Sequence, residues 1–411
     1  MNHILIIGFV WPEPNSSAAG SRMLQLIELF LSYNWKVTFA SPASKTEHMA
    51  LLKDYNISTE TIEINSPNFD RFIKHLQPDI VMFDRFMIEE QFGWRVAKHC
   101  PKALRVLNTE DLHSLRKSRQ EAFKNKREFR IEELQINDAT KREIASIYRS
   151  DLSLIISDFE MKVLTDTFKI KEDLLSYVPF LLPPITQEEK KDWPSFEERK
   201  HFITIGNFRH EPNWNSVLYL KETIWPLIKK EIPETELHIY GAYPSAKVTQ
   251  LNNPKEGFYI KGRASDAQEV VRKARVCLAP LRFGAGIKGK LAEAMLCGTP
   301  SVTTTIGAEG MLDEDSDWNG FVADNPEHFA KAAVRLYSNK NIWQQSQQNG
   351  IEIINTRFQK QKFSNQLISQ IKTLQNNLEE HRSTNFIGSM LQYHTMRSTE
   401  FMSRWIEEKN R

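Results

Sequence analysis

Residues 280–300 read PLRFGAGIKGKLAEAMLCGTP, and the architecture of the whole chain follows from how this stretch is read. Just before it, Val276-Cys277-Leu278-Ala279 is an apolar run of strand type. A glycine loop follows, and a helix is expected from near Ile287. Gly284, Gly286 and Gly289 let the backbone approach a ligand closely, and a helix N-terminus offers free N–H groups to an anion. The i, i+4, i+7 spacing of Gly286, Lys290 and Glu293 places them on one face, with Leu291 and Met295 on another that packs on the sheet. A lysine beside such a loop suits a diphosphate, and a carboxylate one turn deeper can accept hydrogen bonds from ribose hydroxyls. Gly284 to Gly289 also fits the dinucleotide pattern G-x-G-x-x-G, with Glu309 about 20 residues on. That reading is set aside because Pro280, Leu281, Arg282 and Phe283 separate the strand from the first glycine. A plain loop before a surface helix is the bland alternative.

Outward from this segment, strand-like runs alternate with helical patterns. Phe202-Ile203-Thr204-Ile205, Leu237-His238-Ile239-Tyr240 and Ser301-Val302-Thr303 accompany it in the second half. In the first half, Ile4-Leu5-Ile6-Ile7, Val37-Thr38-Phe39, Ile80-Val81-Met82-Phe83, Leu104-Arg105-Val106-Leu107 and Leu152 to Ile156 repeat the pattern. Ala19, Met23, Ile27 and Phe30 recur at helical spacing after the first strand. Strands apolar on both faces and alternating with helices mean parallel sheets covered on both sides. Pro183-Pro184 and the charged run from Glu188 to Lys200 interrupt the pattern. Three segments are expected: 1–183, 184–355, and 356–411 as a helix to near His381 followed by a tail.

The chain has 411 residues, 40% hydrophobic and 26% charged, with a formal net charge of +2. These values describe a globular protein, give no reason to expect nucleic-acid binding, and make two or three domains reasonable. Cys100, Cys277 and Cys297 lack CxxC spacing, so neither a disulfide framework nor a zinc site is expected. The strand-like run beginning at His3 leaves no room for a signal peptide, and no stretch is long enough to span a bilayer. A cytoplasmic location, with or without peripheral contact at the inner membrane face, is the expectation.

Two polar segments follow strands in the first half, where ligands bind in such sheets. Ala18-Ala19-Gly20-Ser21-Arg22 opens the first helix and offers N–H groups, or is a routine strand-to-helix turn. Asn108 to Arg116 contains Asp111, His113 and Arg116, too polar for a buried turn, though a lone histidine is as readily structural. From Arg116 to Arg130 seven cations stand against Glu121 and Glu128. This run is a solvated helix face first, and a patch for an anionic membrane or lipid diphosphate second. Trp11, Trp214 and Trp225 can stack on sugars, but each is more simply a packing residue.

Gly286 to Pro300 resembles the donor-site signature of retaining GT-B glycosyltransferases, above all glycosyltransferase family four and its relatives. Ile205-Gly206-Asn207-Phe208-Arg209-His210-Glu211-Pro212-Asn213 is similar to the opening strand and loop of that family's C-terminal domain, and Thr305 to Gly310 to its following loop. The resemblance implies a GT-B fold: two Rossmann-like domains facing across a cleft, with a C-terminal helix returning to the first. It implies transfer from a nucleotide-diphosphate sugar to a glycan or lipid-linked acceptor with retention, the departing phosphate assisting the acceptor hydroxyl. Glu293 would bind ribose, and Lys290 with Lys288 the diphosphate. Gly206, Arg209, Gly284, Gly286 and Glu309 would line the donor side. Gly20, Arg22, Asp111 and Arg116 would lie on the acceptor side, with His113 at the transferred sugar. No cofactor or metal is expected, since no DxD-like pair stands where a donor-bound metal would need it. The chain departs from the family pattern at Ala285, Asn207 and Pro212, where many members carry glutamate, arginine and lysine. A sugar-nucleotide epimerase on the same scaffold and a degenerate binding subunit remain as alternatives.

Overall fold

The computed structural model describes residues 2–313 and 316–410; Met1 and Arg411, the outer ends of the first and last expected segments, lie outside them. Seven strands form the first parallel sheet: β1 (His3–Ile7), β2 (Lys36–Ser41), β3 (Ser58–Thr61), β4 (Ile80–Asp84), β5 (Leu104–Asn108), β6 (Leu152–Ile155) and β7 (Leu175–Tyr177). Their order is β3-β2-β1-β4-β5-β6-β7. Six more form the second: β8 (Lys200–Ile205), β9 (Leu237–Tyr240), β10 (Phe258–Gly262), β11 (Ala274–Ala279), β12 (Ser301–Thr303) and β13 (Gly320–Val322), in the order β10-β9-β8-β11-β12-β13. Both orders reverse beside the first strand of the unit, between β1 and β4 and between β8 and β11. Such a reversal opens a crevice at the carboxyl ends of the strands.

The period of two along β1 divides the core. Ile4 and Ile6 join Ile27 and Phe30 on one face, while Leu5 and Ile7 join Phe92 and Val96 on the other. Both faces are dry, as the continuous apolar strands required. The helix Lys360–Asn376 crosses back and inserts Phe363, Leu367, Ile371 and Leu374 into the first-domain core, so the expected returning helix is present. The chain crosses between the domains twice, side by side: Leu182 N–H donates to Phe358 O and Lys360 N–H to Leu182 O. The expected tail is not irregular. A short helix, Leu378–Thr384, leads into a 24-residue helix, Phe386–Lys409, laid across the helices Phe86–His99 and Asp138–Arg149.

The two domains touch around the crevice. Arg119 donates to both carboxylate oxygens of Glu309 at 2.7 Å and to Gly284 O at 2.9 Å. Glu160 Oε1 accepts from Leu112 N–H in its own domain and from Gly286 N–H in the other, both at 2.9 Å. Burial, and then the charge of Asp111, raise the Glu160 carboxyl to about 8. At neutral pH it is mainly the uncharged acid. In the basic run, Lys117, Lys124, Lys126, Arg127 and Arg130 are exposed, as a solvated face requires, while Arg116 pairs with Asp111, Arg119 with Glu309 and Arg127 with Glu133. Among the tryptophans, Trp11 and Trp225 are buried, Trp11 tilted against Phe39 and Trp225 donating to Glu256 O, while Lys247 covers Trp214.

Candidate active site

The crevice is a cavity of about 1160 Å³ whose walls come from both domains. On the second-domain side, β8 ends at Gly206. A Cβ there would lie 2.7 Å from Asn213 Nδ2 and 3.1 Å from Lys290 Nζ, so only glycine lets both side chains reach this strand end. β11 ends at Ala279 and its loop carries Gly284 to Gly286. Gly286 takes a left-handed φ of +62°, and a Cβ there would meet Asp111 Cβ at 2.9 Å. It therefore precedes the helix and does not share its face, a correction to the expected spacing. The helix runs Gly289–Leu296 with Lys288 at its cap, later than expected, because the left-handed residue delays the first turn.

Lys288 gives no side-chain acceptor to this N-terminus, leaving its first N–H groups for an anion. The Lys288 ammonium is buried and donates to Gly286 O at 2.7 Å, so it braces the loop. Lys290 and Glu293 line the cavity while Leu291 and Met295 are buried, as the helical spacing predicted. Among the described residues no hydrogen bond or ion pair engages Lys290. Burial lowers it to about 8, with a small opposing effect from Cys277. Burial, followed by Asp266, raises Glu293 to about 7. Arg209 also lines the cavity, its guanidinium 3.7 Å from the Tyr243 ring centroid, and Tyr243 in turn donates to Glu13 across the crevice at 2.7 Å.

The opposite wall is built at the ends of β4 and β5. Arg85 and Glu110 both hold positive φ, +76° and +64°, an uncommon conformation for such residues that clusters at working sites. Asp111 pairs with Arg116, and His113 Nε2 stands 3.4 Å from Asp111 Oδ1. Burial alone would raise Asp111, but Arg116 overrides it and takes the carboxyl to about 2. His113 is lowered to about 3, by burial first and against the pull of Asp111, so it is a neutral imidazole at physiological pH. His210 reaches the same space from the second domain. It keeps exposed surface, yet the surrounding walls and then Arg116 lower it to about 4. Gly20 lines the crevice too: a Cβ on it would meet the Glu13 backbone at 2.4 Å, and Ser17 caps its helix by accepting from Gly20 N–H.

Two expected site residues lie elsewhere. Glu309 is held by Arg119 outside the cavity wall, and Arg22 is 1% exposed, donating to Pro179 O at 3.0 Å and to Asn108 Oδ1 at 3.4 Å. Neither lines this cavity. Conversely, Asp84, Arg85, Glu110 and His210 line the cavity and were not singled out. Position at a strand's carboxyl end was the available signal for the first three. Burial, and next the charge of Asp84, raise Glu110 to about 7.

Residues 199–339 match the model of the family described as glycosyl transferases group 1. No curated protein matches the chain by sequence. Among solved structures, HepE from Anabaena in complex with UDP and glucose is 12% identical, with a TM-score of 0.67 over 91% of this chain and 100% of that one. A TarM variant from S. aureus in complex with fondaparinux, α-GlcNAc-glycerol and UDP is 11% identical, with a TM-score of 0.68 over 92% of this chain and 100% of that one. Sucrose-phosphate synthase from Thermosynechococcus elongatus is 14% identical, with a TM-score of 0.64 over 91% and 99%. At these identities the likeness carries the fold, and that fold is GT-B. With the family match lying over the Gly206, Lys290 and Glu293 wall, the protein is a sugar-transferring enzyme.

Proposed function

We propose that the protein transfers a sugar from a nucleotide-diphosphate donor to a hydroxyl of a glycan or lipid-linked acceptor, with retention of configuration. The observation that carries this is Lys290: an ammonium unpaired among the described residues, at the glycine strand end of β8, beside a helix N-terminus, with Glu293 one turn on. Diphosphate binds Lys290 and the open N–H groups, and ribose binds Glu293. The acceptor lies against the first-domain wall, with neutral His113 hydrogen-bonding the transferred sugar. Charge growing on the departing phosphate is stabilised by Lys290, and that phosphate takes the acceptor proton. The neighbours solved with UDP and with UDP-glucose support this class of donor. A second reading comes from Glu110: a carboxyl near 7 in the acceptor wall is matched to removing the acceptor proton itself, which would invert configuration. Proton NMR of the anomeric centre in the product separates the two, retention supporting the first reading and inversion the second.

Positive charge in this site comes from lysine and backbone N–H groups, so turnover should be unchanged by EDTA. Loss of turnover restored by magnesium or manganese would contradict the proposal. The kcat/KM for donor should be bell-shaped. Glu293 must be ionised to accept from ribose, so activity rises with pH through about 7; Lys290 must be charged, so activity falls through about 8. Glu293→Gln should remove the acid limb in donor hydrolysis.

A further inference from the structure

The C-terminal helix Phe386–Lys409 is amphipathic in the reverse of the usual sense. A helix on a globular domain normally turns its apolar face inward. Here the docked face is mostly polar, with Met396 its buried apolar residue. Arg95 donates to Ser403 at 2.9 Å and pairs with Glu407, Glu400 pairs with Lys98, and Gln392 donates to Arg149 O at 3.1 Å. The outward face carries Phe386, Met390, Tyr393, Phe401 and Trp405 along one line, with Arg397 taking the turn between Tyr393 and Phe401. Phe386 is 76% exposed, Phe401 68% and Trp405 59%. This one helix holds seven of the twelve large exposed hydrophobics among the described residues, which is concentration and not scatter.

Charge decides what covers this stripe. Of its acids, Glu400 and Glu407 are turned in and paired, while Arg397 and Lys409 point out, over the rings of Tyr393 and Trp405. Glu408 is the exposed acid, at the helix end. Arg397 sits at the helix midpoint, so a symmetric antiparallel pairing with a second copy would set Arg397 against Arg397. On a bilayer the same residue can extend to a lipid phosphate while the aromatic rings lie at the interface. None of the helices in the described residues is long and apolar enough to cross a membrane, so the contact is one of lying on the surface.

We propose that the helix Phe386–Lys409 docks the protein on an anionic lipid surface through its outward aromatic stripe, with Arg397 and Lys409 meeting headgroup phosphates. This is independent of the donor assignment. The test is sedimentation of the full chain with vesicles of phosphatidylglycerol and phosphatidylcholine, and with vesicles of phosphatidylcholine alone. The wild type should bind the anionic vesicles at least about tenfold more strongly than the neutral ones, and less as salt rises. The double variant Phe401→Ser, Trp405→Ser and the single variant Arg397→Glu should each lose about tenfold or more of that binding. Both sets of positions lie outside the cavity, so melting temperature and nucleotide release from donor should be unchanged. Three results would overturn the proposal: no vesicle binding by the wild type, equal binding by the folded variants, or a dimer by sedimentation velocity that the double variant makes monomeric.

Discussion

Lys290→Ala should fold normally and turn over donor roughly 10²- to 10³-fold more slowly, the range for deleting one electrostatic stabiliser of a developing charge. The ammonium lies against Gly206 with no ion-pair partner among the described residues, so its loss leaves none of their buried acids unpaired. As the glycosidic bond breaks, negative charge accumulates on the departing diphosphate and the interaction strengthens, which places the loss in kcat. Glu293→Gln is the contrasting change. Ribose contacts barely alter along the reaction, so its main effect should be a higher donor KM with a smaller effect on kcat. The two residues sit on one short helix, and a folding defect would affect both alike. Steady-state kinetics beside melting temperatures distinguish the cases; folded variants with normal kcat and normal donor KM would place the site elsewhere.

The second large effect concerns stability. Glu89 and Arg149 form an ion pair whose side chains are 2% and 1% exposed, Arg149 Nε donating to Glu89 Oε1 at 3.0 Å. The pair ties the helices Phe86–His99 and Asp138–Arg149 together beneath the C-terminal helix. Its net contribution is modest, because both charges gave up water to form it. Breaking it from one side is another matter. Glu89→Ala leaves a guanidinium buried without its counter-charge and should cost about 3–5 kcal/mol. Urea denaturation followed by far-ultraviolet circular dichroism measures this directly; a loss under about 1 kcal/mol would mean that water reaches Arg149. Replacing both residues by apolar ones of similar volume should recover much of the loss.

What the sequence revealed follows from burial. β1, β4, β5, β8 and β11 are central, apolar on both faces, and stand out as runs of Ile, Leu, Val and Phe. The strands that were not anticipated are β3, β7, β10 and β13, and these are the four sheet edges. β3 reads Ser-Thr-Glu-Thr with no buried residue, so it has no hydrophobic signal to give. The C-terminal helix was unreadable for the opposite reason. Its apolar side faces out and its polar side is docked, and periodicity alone cannot tell which face is covered. Within the cavity, Lys290, Glu293, Asp111 and His113 were legible because each follows a strand's carboxyl end or lies in the helix after it, whereas Gly206 came from the family resemblance. Arg22 and Glu309 occupy equally suggestive positions in the chain, yet long-range partners draw them inside: Pro179 O for one, Arg119 for the other. Arg119 itself was hidden in a basic run that reads as solvated surface. No local pattern specifies a partner 190 positions away.

The most direct test of the central claim is acceptor-free release of nucleotide diphosphate from a panel of UDP-, GDP-, ADP- and dTDP-sugars, measured for the wild type and Lys290→Ala. Water then stands in for the acceptor, and a donor held by Lys290 beside Gly206 with its sugar facing His113 should hydrolyse slowly. The account predicts release from at least one donor by the wild type and a fall of roughly 10²-fold or more in the folded variant. Isomerised donor without release, no release from any donor, or equal release by the two proteins would contradict it.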